Sequence, residues 1–316
     1  MSGTLPVIDI SAPGAATALG RALEEIGFAY VAGHSVPQPT IDAAFAASRA
    51  FHASPLARKR SLAINEWHRG YIGMATSTVV SSSVAKVTRP NLSESVMIMQ
   101  DIAPGDADWG EPLQGPNQWP DWLPGFRPAI DAYRDAAEGV SRRIIRLIAR
   151  ALDLGEDALD PHFARPTTFL RLLHYPPHPV DAEDDQFGAA PHTDYGIITL
   201  LAQDSSGGPQ VRRRDGGWID AAPLAGTFVL NVADMLARWT NDRFVSTPHR
   251  VVNRSGGDRY SLPYFFDTSM ASTIECLATC TGPGNPAKYP PVRYGDYLLD
   301  RINRNYHYRH KPAAAE

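Results

Sequence analysis

Two textures divide the chain. Up to about residue 152 the apolar positions recur mainly at spacings of three and four. Beyond residue 167 they fall into short runs rich in β-branched and aromatic side chains, separated by Gly, Pro, Asn and Asp. In the first part, residues 5–10 alternate as a short strand, and residues 17–26 read as a helix that Gly27 ends. Residues 28–31 form a second strand, and residues 39–51 an Ala-rich helix. The longest helix is predicted over residues 128–152, where Ile130, Tyr133, Ala137, Val140, Ile144, Leu147, Ile148 and Ala151 make one apolar stripe. In the second part, TFLRLLHY, GIITLLAQ, PQVRRR, GWIDAAP, TFVLNVA, HRVVN and RYSLPYFF read as strands. This spacing suits a barrel or a two-sheet jelly roll. Residues Tyr294–Asn305 read as a closing helix. The class is therefore α+β, with helices first, a β core second and a helix last.

Two segments resist the pattern. Residues 65–95 are rich in Ser, Thr and Val and read as a strand with a long loop, mobile near residues 81–83 and suited to covering a substrate. Residues 104–125 carry five prolines, four glycines and Trp109, Trp119 and Trp122; this is irregular packing in which the tryptophans need burial. The expected organisation is an N-terminal mixed region over residues 1–125, holding the substrate loop. The long helix and jelly-roll core follow as one structural unit over residues 126–316. Arg142, Arg143, Arg146 and Arg150 are read as a solvated helix face, not a phosphate site.

Composition narrows the class of function. Of 316 residues, 43 % are hydrophobic and 20 % charged, with a net charge of −4, so neither disorder nor a nucleic-acid partner is expected. No apolar run of about 18 residues predicts a membrane span. The first residues, MSGTLPVIDIS, read as a strand and not a signal peptide. Cys276 and Cys280 lack the spacing of a paired zinc hook and are read as free thiols. A cytoplasmic monomer or homodimer is expected, without membrane or nucleic-acid partners.

The chemistry is concentrated in three motifs. His192 and Asp194 stand two apart in PHTDYG, so on a strand both point to one face. His249 follows fifty-five residues after Asp194, in STPHRVV. Two imidazoles and one carboxylate suit iron(II) and leave open positions for a co-substrate and dioxygen. Ten residues further on, Arg259 and Ser261 share a strand face, and a guanidinium there can hold an anionic co-substrate through two parallel hydrogen bonds. Asn231 and Asp234, in NVADM, are read as shaping a turn near the site. The other eight histidines are read as ordinary hydrogen-bonded residues.

Together these motifs resemble the isopenicillin N synthase-like branch of the iron(II)/2-oxoglutarate-dependent dioxygenases. The resemblance runs from LPVIDIS through GFAYVAGH, RGYIG, LRLLHYPP and NVADMLARWTNDRFVSTPHRVVN to PPVRYGDYLL. It implies a distorted double-stranded β-helix, or jelly roll, with an N-terminal helical region and a C-terminal helix. It implies His192, Asp194 and His249 as iron ligands, with Arg259, Ser261 and Tyr175 at the distal carboxylate of 2-oxoglutarate. Leu173 stands where plant members often carry asparagine, which bears on the pose of the co-substrate's oxoacid end. The paired glutamates of the homoarginine-hydroxylating group are replaced by MATSTVV, which argues against a guanidinium substrate.

The reading is then an Fe(II)- and 2-oxoglutarate-dependent dioxygenase that takes O2 as second co-substrate. It oxidises a small organic molecule, most simply by hydroxylation, and releases succinate and carbon dioxide. Tyr71, Arg171, Tyr195 and Phe265 are the candidate substrate residues, with Lys86 and Arg89 as further basic groups near the loop. Three alternatives stay open at this level: an Fe(II) oxidase or cyclase of the same fold that does not use 2-oxoglutarate, a zinc hydrolase, and a non-enzymatic ligand-binding barrel. The zinc hydrolase lacks H-E-x-x-H and an accompanying glutamate base.

Overall fold

The computed structural model describes residues 4–74, 76, 87–179 and 185–309. The element order begins β1 (Val7–Asp9), α1 (Ala15–Glu25), β2 (Phe28–Ala32), α2 (Gln38–His52), α3 (Leu56–Ser61), β3 (Gly70–Ile72) and β4 (Glu94–Met99). It continues with α4 (Phe126–Ala151), β5 (Thr167–Tyr175), β6 (Ala189–His192), β7 (Ile198–Gln203), β8 (Pro209–Arg212), β9 (Trp218–Asp220) and β10 (Phe228–Val232). The last elements are α5 (Asp234–Trp239), β11 (His249–Val251), β12 (Arg259–Asp267), β13 (Thr273–Ile274), β14 (Val292–Arg293) and α6 (Tyr294–Asn305).

Eight strands form one sheet in the order β1-β2-β10-β7-β12-β5-β4-β3, and four form a second in the order β6-β11-β8-β9. Apart from the parallel β1–β2 pair, every pairing in these two sheets is antiparallel. Strands on both sides of residue 125 thus join the large sheet. The fold is a jelly roll with flanking helices, in agreement with the expected α+β class.

The period of two along the central strands decides what each side chain meets. On β12 the even positions Leu262, Tyr264 and Phe266 enter the main apolar core, as do Leu170 and Leu172 of β5 and Val96 and Ile98 of β4. That core lies under α4, which packs on α1 and α2. The odd positions Arg259, Ser261, Phe265 and Asp267, together with Phe169, Arg171, Leu173 and Tyr175, face the second sheet and the space between the sheets. Register keeps the two faces in phase: Arg259 pairs with Tyr175, Ser261 with Leu173 and Phe265 with Phe169.

The predicted helices appear within two residues of their observed ends, and Gly27 follows α1 with φ +71°. A Cβ at Gly27 would lie 1.9 Å from the carbonyl oxygen of Val245, so the close approach itself excludes a side chain. Asn231 lies within β10 and donates to Asp194 Oδ2, and Asp234 opens α5 with its backbone N–H donating to the Asp194 carbonyl at 2.9 Å, so both hold the chain beside the site. Two expectations change. The segment over residues 65–95, expected as a strand with a long loop, ends in β4, which runs on to Met99 with all six residues buried within the sheet. Trp119 and Trp122 are partly buried against the core, but Trp109 is 39 % exposed. The arginines of α4 are tied down more than a solvated face requires: Arg142 pairs with Glu138, Arg146 with Asp160, and Arg143 donates to the carbonyls of Gly33 and His34. Residues 81–83 and Lys86 lie outside the described residues. Among the described residues, no helix is long and apolar enough to cross a membrane.

Candidate active site

Strand β6 ends at His192, and β11 begins at His249. The two are direct antiparallel partners, which brings residues distant in sequence ring to ring, 4.4 Å between centroids. Asp194 follows β6 by two residues. Its Oδ1 lies 3.7 Å from His192 Nε2 and 3.8 Å from His249 Nε2, and one donor atom from each residue falls within 4.8 Å of the others. No other cluster of three such side chains occurs among the described residues.

The surroundings fix which atoms are free to bind. His192 Nδ1 lies 2.7 Å from the Ala190 carbonyl oxygen, and His249 Nδ1 3.3 Å from that of Thr247. A carbonyl only accepts, so each Nδ1 donates, and in the neutral ring Nε2 presents its lone pair. Burial, then the neighbouring His249, lowers the His192 pKa to about 4, which favours the neutral ring. Asp194 Oδ2 accepts from Thr199 Oγ1 at 2.5 Å and from Asn231 Nδ2 at 2.8 Å, leaving Oδ1 toward the imidazoles. Burial opposes the charge on Asp194. The two imidazoles and these two donors outweigh it and hold the carboxyl below its ordinary pKa. Thr199 and Asn231 are cross-strand partners on β7 and β10, so one rung of the sheet supplies both donors. A neutral, N-donor pair with one monodentate carboxylate is the donor chemistry that Fe(II) takes.

Arg259 is fully buried. Its Nε donates to the Gly207 carbonyl at 2.6 Å and its Nη1 to Ser261 Oγ at 3.3 Å, while its guanidinium carbon sits 4.6 Å from the centre of the Tyr175 ring. Nη2 is buried and has no partner. An orphaned guanidinium N–H inside a protein is costly unless an anion completes it. Leu173, Tyr175, Val251 and Ala189 form a small apolar cluster beside it.

A cavity opens on the other side of the metal set. Its walls include Arg171, Tyr195 and Phe265 of the expected substrate residues, along with Asn91, Met97, Phe169, Asp267 and residues of α6. Tyr71 does not line it. Tyr71 pairs with Val96, whose side chain faces the helix layer, so Tyr71 points there too and donates to Glu94 Oε2 at 2.5 Å. Gly70, one position away, is the residue opposite Met97. Arg89 pairs with Asp185 and is not among the cavity residues.

Several cavity residues carry no sequence signal of their own. His68, read as an ordinary histidine, is a buried wall residue with a left-handed backbone (φ +63°). Burial first, then Arg171, lowers its pKa to about 3, so it is neutral. It hydrogen-bonds Tyr308 beyond α6. Leu298, Ile302 and Asn305 reach the cavity from α6, and Asn305 Nδ2 donates to the Tyr195 hydroxyl at 2.8 Å. The signal for α6 is its apolar face at helical spacing, which does not say what it covers. Asn91 lines the wall and accepts the backbone N–H of Ala190, steadying the strand that carries His192.

The sequence profile of the 2OG-Fe(II) oxygenase superfamily matches residues 166–268, and that of the non-haem dioxygenase in morphine synthesis N-terminal region matches residues 5–122. The chain is 33 % identical over 321 aligned positions to the 2-oxoglutarate-Fe(II) type oxidoreductase hxnY of Emericella nidulans, covering 95 % of this chain and 90 % of that protein. It is 35 % identical to azadirone synthase LFS of Melia azedarach, covering 95 % and 92 %. A full-length Neurospora crassa protein, whose crystal structure was solved in complex with alpha-KG and thymine, superposes with a TM-score of 0.85 at 30 % identity, covering 96 % of this chain and 98 % of that one. These relatives support an enzyme that uses 2-oxoglutarate, over the same-fold oxidase and the non-enzymatic barrel. The chain belongs to the 2-oxoglutarate- and Fe(II)-dependent oxygenases of the isopenicillin N synthase-like family.

Proposed function

We propose that His192, Asp194 and His249 hold the Fe(II), and that Arg259, with Ser261 and the Tyr175 ring, receives the distal carboxylate of 2-oxoglutarate. Bound there, the iron and co-substrate supply dioxygen activation, with succinate and carbon dioxide as co-products. The residues of the chain do the rest. Asn231 and Thr199 keep one carboxylate oxygen of Asp194 occupied. The Ala190 and Thr247 carbonyls set both imidazole tautomers. Arg259 neutralises a buried anion that would otherwise be costly to desolvate. The cavity of Phe169, Phe265 and α6 orients a substrate C–H bond and keeps water out.

The substrate is a small organic molecule and the outcome hydroxylation. Solved relatives carry small ligands or act on them: thymine in the Neurospora crassa protein, JA in JOX2, and auxin for the rice dioxygenase. We place the protein in the cytoplasm, without nucleic-acid partners, as a monomer or homodimer. The observation that carries the reading is the orphaned Arg259 Nη2 beside a metal-ready His–Asp–His set. Calorimetric titration tests it. Manganese(II), an inert stand-in, should bind the wild-type chain at one site, and 2-oxoglutarate should then bind the manganese-loaded protein more tightly than the metal-free one. His249→Ala should lose both effects. Metal binding that survives His249→Ala unchanged would refute the assignment.

A further inference from the structure

The cavity holds one charge that the proposed chemistry leaves unanswered. Arg171 is the middle residue of β5, on the same strand face as Tyr175, and it lines the cavity. Four residues at about 3.3 Å each separate their backbones, so Arg171 lies roughly 13 Å along the strand from the co-substrate end. Its Nε donates to Ser95 Oγ at 2.9 Å, across the register that pairs Ser95 with Leu173. This pins the guanidinium against the wall. No carboxylate pairs with it among the described residues.

The acids that share the cavity are already engaged. Asp194 belongs to the metal set. Asp267 Oδ1 accepts the Ile197 N–H at 2.6 Å, and its Oδ2 accepts the Tyr294 hydroxyl at 2.6 Å. The nearby Arg301, by contrast, is neutralised: its Nη2 lies 3.1 Å from Asp234. A half-buried guanidinium facing a cavity, held through Nε alone, retains N–H donors in the planar arrangement that fits a carboxylate. Met97, Phe169, Phe265, Leu298 and Ile302 give the cavity its apolar and aromatic walls, and its uncharged polar lining residues include the neutral His68, Asn91 and Asn305.

We propose that Arg171 anchors the substrate, and that the substrate is a small monocarboxylic acid with an apolar body. Its carboxylate pairs with the guanidinium, and its carbon skeleton lies between Phe169, Phe265 and α6, directed toward the metal set. This rests on the reading of the cavity as the oxygenase's substrate site. A cationic substrate is disfavoured by the same unpaired charge. A neutral amide or ester of the same body forfeits the charge-assisted pair while keeping every apolar contact.

The test is binding, not turnover. Protein loaded with manganese(II) and 2-oxoglutarate is titrated with a broad panel of aryl and alkyl monocarboxylic acids, each beside its primary amide and methyl ester. At least one acid should bind about ten- to a hundredfold more tightly than its amide, the range of a charge-assisted hydrogen-bonded pair. Arg171→Gln should abolish that preference while the amide binds as before, and Arg171→Lys should restore part of it. Affinity for 2-oxoglutarate, measured in the same variants, should change far less than affinity for the acid. Amides binding as well as acids throughout the panel, or an acid preference that survives Arg171→Gln, would overturn the proposal. If 2-oxoglutarate itself fails to bind the manganese-loaded wild type, the failure lies in the co-substrate reading and not in the anchor.

Discussion

Replacing Arg259 by alanine should separate co-substrate binding from the rest of the machinery. The guanidinium is fully buried, is held by the Gly207 carbonyl and Ser261, and presents Nη2 without a partner. With 2-oxoglutarate bound, removing it leaves a buried carboxylate unpaired, a loss of about 3 to 4 kcal/mol by analogy with broken buried ion pairs. That corresponds to roughly a hundred- to a thousandfold rise in the 2-oxoglutarate concentration needed for half-maximal rate. Ser261→Ala removes one neutral hydroxyl and should raise it only about three- to tenfold. Arg259→Lys should recover part of the loss, because an ammonium restores the charge but not the planar fork. The assay is succinate release against 2-oxoglutarate concentration at saturating iron. A thermal melt of each variant is needed alongside, since Arg259→Ala also loses the Gly207 bond and opens a void. At saturating 2-oxoglutarate kcat should largely return. An unchanged half-saturating concentration in a folded Arg259→Ala protein would show that Arg259 does not hold the 2-oxoglutarate carboxylate.

Two further predictions concern buried hydrogen-bond networks. Thr199→Val and Asn231→Leu each remove a donor from Asp194 Oδ2 while keeping a side chain of similar size; either should weaken metal binding about ten- to a hundredfold in titration, and unchanged affinity in both would show that Asp194 is oriented otherwise. The second concerns the buried network on the helix side of the sheet. Burial raises the Glu94 pKa, but bonds from His174, Lys59 and Tyr71 outweigh that and hold it at about 2 against an ordinary 4.5. The folded state therefore takes up that proton less readily than the unfolded chain. The stabilisation, on the order of 3 kcal/mol, is complete above pH 4.5 and is lost as pH falls from 4.5 toward 2. Glu94→Gln should lower the melting temperature near neutral pH and flatten its acid limb between those values; an acid limb identical to that of the wild type would contradict it.

Short-range periodicity makes part of the fold and of the site legible in sequence. Helices α1, α2, α4 and α6 carry apolar stripes, and the predicted closing helix coincides with α6 at Tyr294–Asn305. His192 and Asp194 two apart, and Arg259 and Ser261 two apart, declare a shared face without any knowledge of the fold. What periodicity cannot give is which strand lies beside which. Thr199 and Asn231 meet Asp194 only because β7 and β10 are neighbours, a pairing that spans thirty-two residues of sequence. Tyr71 shows the opposite failure. A strand residue near the pocket has two possible faces, and the register with β4 turns Tyr71 to the helix side. Strand β4 escapes periodicity because it is buried on both faces and so lacks the alternation that marks a half-exposed strand. His68 and Asn305 come from a loop and a distant helix, and only tertiary packing unites them at Tyr195 and the cavity wall.

In the proposed function, Asp194 and its two histidines hold an iron that couples 2-oxoglutarate to dioxygen. The most direct measurement follows 2-oxoglutarate labelled in its carboxyl carbons through iron-reconstituted protein on exposure to oxygen. Succinate and carbon dioxide should form in equal amounts, dependent on both iron and oxygen, and both should be lost in Asp194→Ala. Equal succinate formation by the wild type and Asp194→Ala, or none by the wild type with iron, oxygen and the panel of acids all present, would contradict it.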